Sequence, residues 1–258
     1  VWSPDERADP WVCPYILNAL SFSRPCRIHI RVFSRGLLLE ETIRQIAIWA
    51  LPVLTAVVFH EVAHGWVAYR LGDSTAARLG RLTLNPFAHV DLFGTVLVPL
   101  VLILTHAPFV FGYAKPVPVN FLNLRNPKRD MIWVAAAGPV TNLLLALLWT
   151  FLLKTIAPML DAPPDAAAGG NYLAVIALMA QRGILINVAL AVLNSFPLPP
   201  LDGGRVLVGL LPRPLSAKLA RVEPYGFLIL IVLLMTHALD YMLDPPTEFL
   251  LKLYLRAF

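Results

Sequence analysis

Two histidines and a glutamate, His60, Glu61 and His64, stand inside the apolar run "VVFHEVAHGWVAY" at residues 57–69. On a helix, positions i and i+4 share a face, so both imidazoles can converge on one cation while Glu61 lies beside them. This is the H-E-x-x-H pattern, whose chemistry is that of zinc with one coordination position left open. Such an ion lowers the pKa of a ligated water to about 7 and polarises a carbonyl. Glu61 fits the general base. The competing reading, two His and a Glu acting as polar glue between helices, is weaker because ionisable groups inside a span are costly and mark functional sites.

A third ligand is needed, and "NSFPLPPLDGGRVL" at residues 194–207 supplies a candidate in Asp202. Pro197, Pro199 and Pro200 prevent regular helix before it, so the chain is opened there and the carboxylate can be aimed. Without His60 and His64, an aspartate before Gly203 and Gly204 would read as a turn or capping residue. Cysteine cannot complete the set. Cys13 and Cys26 both precede the first long apolar segment and suggest neither a metal cluster nor a disulfide framework.

The elements that must hold these residues follow from composition. The 258-residue chain is 58% hydrophobic and 14% charged, against about 25% charged in soluble domains. Its class is therefore an all-α polytopic membrane protein, a helical bundle of about four to six transmembrane segments. Four spans are expected, at 44–71, 131–157, 171–195 and 225–243. A fifth apolar stretch, 93–111, is interrupted by Pro99 and Pro108 and reads as a span, a re-entrant hairpin or a buried helix. The net charge of +5 does not imply nucleic acid, because Lys and Arg are scattered beside apolar runs.

Their placement sets an orientation. Arg70, Arg78 and Arg81 follow the first span; Lys115, Arg125, Lys128 and Arg129 precede the second; Arg205, Arg213, Lys218 and Arg221 follow the third. All these ends are expected on the cytoplasmic side, which makes 93–111 dip in and return, and puts His64 and Asp202 toward the cytoplasmic half. The intervening "RLGRLTLNPFAHVD" and "FGYAKPVPVNFLNL" alternate apolar and polar residues between Gly and Pro. They are expected as short membrane-associated β-ribbon pieces lining a cavity. Residues 1–36 lack a sustained apolar run or a signal-peptide pattern and are expected as a poorly ordered extension, with 37–258 forming a single membrane-embedded domain.

Taken together, "FHEVAH", "NSFPLPPLDGG" and the second-span motif "AAAGPVTN" at 135–142 resemble the site-2 protease family of intramembrane zinc metalloproteases, in its compact bacterial branch without a PDZ domain. The resemblance extends over residues 44–245. It implies His60, His64 and Asp202 as zinc ligands and Glu61 as catalytic base and proton carrier. It further implies Asn194 as donor to the developing oxyanion, and single-span membrane proteins as substrates within the lipid bilayer of the cell membrane. The weaker rival reading of Asn194 is a purely interhelical hydrogen bond. Gly138 and Asn142, one turn apart, read as close packing and cross-bonding that support the site. His89 is taken as a loop or supporting residue, while His29, His106 and His237 show no partner spacing. A non-proteolytic zinc protein or transporter is the rival function. It is disfavoured because "LLLALLWTFLL" and "LAVIALMA" leave no polar pathway on the far side of the metal. Substrate identity and oligomeric state are not encoded legibly.

Overall fold

A computed structural model describes residues 35–98, 101, 104–105, 114–160 and 172–256. The fold is all-α. Helix α1 is Arg35–Arg70, α2 Thr75–Arg78, α3 Pro127–Ile156, α4 Tyr172–Asn194, α5 Asp202–Leu210, α6 Arg213–Ala220, α7 Glu223–Met235 and α8 Ala238–Arg256. Among the described residues three helical stretches are long and apolar enough to cross a membrane: Ile43–Arg70, Pro127–Met159 and Tyr172–Asn194. These are the first three expected spans.

The fourth differs. It is divided between α7 and α8, which are bent by 84° at the break. His237 at the break has φ of 56°, a left-handed conformation that helix cannot accommodate, and its Nδ1 lies 2.8 Å from the Asp240 carboxylate in the first turn of α8. The expected β-ribbon also requires correction, because no strand occurs among the described residues. Segment 114–120 has no regular secondary structure and meets the preceding loop through one backbone bond, from Lys115 N–H to the His89 carbonyl at 2.9 Å. Pro116 and Pro118 have no N–H, so a regular ladder cannot form along it. Within 93–111, residues 92–97 form a wide π-type turn of helix; whether the stretch returns or crosses falls outside the described residues, as does the expected extension up to residue 34.

The chain gathers into two compact units. One takes its described residues from 35–53, 144–192 and 229–256. Its core is hydrocarbon: Ala174, Ala177 and Ala180 of α4 let Ala146, Ile184 and Leu251 pack closely, each 2% exposed or less. On α3 the large side chains of Leu144, Leu148 and Phe151 face outward at 58–70% exposure, a stripe that suits lipid. The second unit, 54–143 and 193–228, contains every residue of the candidate site.

Candidate metal centre

The sequence of α1 carries His60 and His64 on one face, and α3 is built to receive them. Small residues from Ala135 to Gly138 clear the approach. At Gly138 a Cβ would lie 2.5 Å from His60 Cε1 and 2.5 Å from His64 Nε2, so only glycine leaves room for both rings. Pro139, lacking the N–H that the Ala135 carbonyl would receive, loosens the same turn. There the Val134 carbonyl accepts a hydrogen bond from His64 Nδ1 at 2.7 Å. One turn further, Asn142 Oδ1 accepts from His60 Nδ1 at 2.6 Å, while Asn142 Nδ2 donates to the Ala56 carbonyl at 3.2 Å. The amide orientation is thereby fixed.

Asp202 opens α5. The turn before it contains a cis Pro199–Pro200 bond and presses so closely on the helix that a Cβ on Gly204 would lie 2.2 Å from Pro199 N. The "DGG" sequence is thus the condition for seating Asp202 beside the "FPLPP" turn. Its Oδ2 lies 3.2 Å from His60 Nε2 and 3.3 Å from His64 Nε2, and the two Nε2 atoms are 3.1 Å apart.

The proton inventory decides what this triangle is for. Both Nδ1 atoms face acceptors and so carry the ring protons, which leaves lone pairs on both Nε2 atoms. Asp202 Oδ2 is buried without a hydrogen-bond donor. Three lone-pair atoms within 4.8 Å of one another, none bringing a proton, fit a cation with two nitrogen ligands and one oxygen ligand. The Asn142 and Val134 contacts orient the two imidazole rings from behind, as outer partners of metal-binding histidines do.

Glu61 points to another partner: its Oε2 accepts the Val117 backbone N–H at 2.8 Å. Asn194, the half-buried last residue of α4, belongs to the same compact unit. His89 is buried and its Nε2 donates to the Thr83 carbonyl at 2.8 Å, which makes it a loop residue outside the triangle. The sequence reading missed Val117 N–H and Val134 C=O. Neither could be found from residue types, because a backbone group acquires such a role only through tertiary placement.

A helical fold apolar enough to span a membrane, with a candidate metal site of two histidines and one carboxylate and a glutamate next to it in sequence, matches the class of membrane metalloendopeptidases. Comparison with known proteins agrees. The chain is 37% identical over 199 residues to the candidate zinc metalloprotease YwhC of Bacillus subtilis (strain 168), covering 76% of this chain and 83% of that protein. It is 30% identical over 187 residues to the candidate zinc metalloprotease Rip2 of Mycolicibacterium smegmatis, covering 72% and 66%, and 30% identical over 189 residues to Rip2 of Mycobacterium tuberculosis (strain H37Rv), with the same coverage. No family model matches the chain, and no solved structure does. The chain belongs to the site-2 protease family of zinc metalloproteases.

Proposed function

We propose that the chain hydrolyses peptide bonds within single transmembrane segments of other membrane proteins, from a site in the cytoplasmic half of the cell membrane. The observation that carries this reading is the proton-free triangle of His60, His64 and Asp202 with a carboxylate next to it in sequence. Bound there, zinc supplies a Lewis acid that polarises a scissile carbonyl and acidifies a ligated water. Glu61 takes the proton from water and passes it to the leaving amine. The Asn194 amide donates to the oxygen on which charge develops.

Access sets the remaining requirement, since a peptide bond in a helix is already hydrogen-bonded and shielded. The substrate must therefore unwind, and segment 114–120 offers it a place to lie as an extended strand. The carbonyls of Val117, Pro118 and Val119 accept no hydrogen bond from any described residue. Those of Val117 and Val119, which share one edge of an extended chain, can receive the N–H groups that an unwound substrate exposes. The orientation rests on the Arg and Lys residues that flank the spans. His64 lies six residues before Arg70, about 9 Å along a helix.

The test is Glu61→Gln. This variant should bind zinc in the wild-type ratio, measured by elemental mass spectrometry, and should lose proteolysis by several orders of magnitude, because Glu61 moves protons and does not coordinate. Loss of zinc from this variant would contradict the role given to Glu61.

A further inference from the structure

Segment 114–120 is tied down at three points. At its start, Lys115 N–H reaches the His89 carbonyl at 2.9 Å, and the Arg81 guanidinium donates to the carbonyls of Lys115 and Pro116 at 2.9 and 3.4 Å. In its middle, Val117 N–H is held by Glu61. At its end, Asn120 N–H donates to Asp73 Oδ2 at 2.7 Å. With prolines at 116 and 118, few other donors exist along it, so the loss of one tie is not made good by a neighbour.

Asp73 is the unusual member. It lies three residues past the end of α1, its own N–H bonded to the Ala68 carbonyl at 2.9 Å, and it is 1% exposed. Its Oδ1 accepts from Thr75 N–H at 3.1 Å, from the Thr75 hydroxyl, and from Asn123 Nδ2 at 3.0 Å. Burial alone would raise its pKa, but the bonds from Thr75, Asn123 and Asn120 hold it below the usual carboxylate value. The bonds from Thr75 to Oδ1 account for a local turn after a helix. They do not account for Oδ2, which spends its bond on a backbone group 47 residues away. The segment is also seated on α1 by shape: a Cβ on Gly65 would lie 2.7 Å from Val117 Cγ1. The residue next to His64 is thus kept small where the segment crosses.

We propose that Asp73 is a positioning residue for substrate docking: its bond to Asn120 N–H fixes segment 114–120 on the catalytic helix, so that the carbonyls of Val117 and Val119, which accept no hydrogen bond from a described residue, stay presented to the substrate. This rests on the reading of that segment as the docking edge. The carboxylate's two oxygens divide the work. Oδ1 closes the turn at the end of α1, and Oδ2 carries that rigid reference across to the segment. A buried anion suits this task, since a charge-assisted hydrogen bond is stronger than a neutral one.

Two variants isolate the bond. Asp73→Asn keeps an oxygen for the three donors on the Oδ1 side and turns an amide N–H toward Asn120 N–H. Asn120→Pro leaves Asp73 untouched and removes the opposing N–H together with the Asn120 side-chain cap, which accepts from Leu122 N–H at 3.1 Å; Asn120→Ala, which loses that cap and keeps the backbone N–H, is its control. The assay probe is an internally quenched peptide with one apolar segment of about 20 residues, in detergent micelles with the zinc-loaded enzyme. Both variants should raise KM by about tenfold with kcat per zinc-loaded molecule little changed. Hydrogen exchange should quicken at the amides of Lys115, Val117 and Val119 and stay slow in α1. A merely structural Asp73 would instead lower the folded, zinc-loaded fraction and leave KM alone. If Asp73→Asn does not fold, Asn120→Pro decides: an unchanged KM in that folded, zinc-loaded variant overturns the proposal. A photo-crosslinking residue at position 119 separates the two levels. Failure to capture the peptide sinks the docking reading itself, whereas capture with unchanged KM in both variants sinks Asp73 alone.

Discussion

The two compact units differ in where buried polar side chains find partners, with Lys154, whose Nζ donates to the Leu255 carbonyl at 2.7 Å, the long-range exception in the hydrocarbon unit. In the unit containing the hydrocarbon core, Thr150, Asn187 and Thr247 are buried and each bonds back to the carbonyl four residues earlier in its own helix, at 2.8, 2.8 and 2.6 Å. That carbonyl also belongs to the helix ladder, so such a bond adds little fold information. In the other unit, His60, His64, Glu61 and Asp73 reach partners 82, 70, 56 and 47 residues away in sequence. Losing one of these leaves a buried group unpaired, which costs much more than the bond itself contributes. Hydrocarbon and self-bonded polar groups make a scaffold that tolerates change. Long-range polar bonds make a site that does not.

Asp202→Asn is the sharpest way to break this comparison. It keeps the size of the side chain and removes the anionic oxygen of the triangle, so zinc affinity should fall by more than about 100-fold and cleavage with it. Competition with a zinc-binding dye and an activity assay on the same preparation measure both. Full zinc occupancy with undiminished cleavage would mean that the triangle is not the metal site. Asn142→Ala should act more mildly through His60. Without its acceptor the ring is free to turn or change tautomer, and zinc affinity should drop by about 10- to 100-fold, the range for an outer-shell partner. Activity should then be recovered by adding zinc, because no ligand has been removed. A loss of activity that zinc cannot restore would assign Asn142 a different task.

Why these residues differ in legibility is physical. His60, Glu61, His64 and Asp202 announce themselves because ionisable side chains in apolar or proline-broken sequence carry a cost that only function explains. The first three spans were equally readable, since length and hydropathy set them within a few residues. The break at His237 was not, because apolar composition runs continuously across 225–235 and the left-handed φ is a single backbone choice. Alternating residues in 114–120 suggested a ribbon, yet Pro116 and Pro118 removed the donors a ladder requires. Asn142 was visible as a cross-bonding amide but not as the partner of His60. Asp73, in "RLGDS", carries no signal in the sequence, because its second oxygen meets Asn120 N–H only through the fold.

Thr150→Val probes the tolerant side of the comparison and should have the smallest effect. Thr150 is fully buried on α3, and its hydroxyl donates to the Ala146 carbonyl at 2.8 Å. Valine fills nearly the same space and brings no polar atom that needs a partner. The Ala146 carbonyl keeps the backbone N–H of residue 150 in the helix ladder, so removal of the hydroxyl orphans nothing. The loss should be at most about 0.6 kcal/mol, the average for a side-chain hydrogen bond within a membrane bundle. Zinc content and turnover per folded molecule should match wild type. Thermal melting in detergent, read beside zinc stoichiometry, measures this. A large drop in stability, or any loss of zinc, would show that the hydrocarbon unit is as exacting as the site and that the two do not divide the work of scaffold and chemistry.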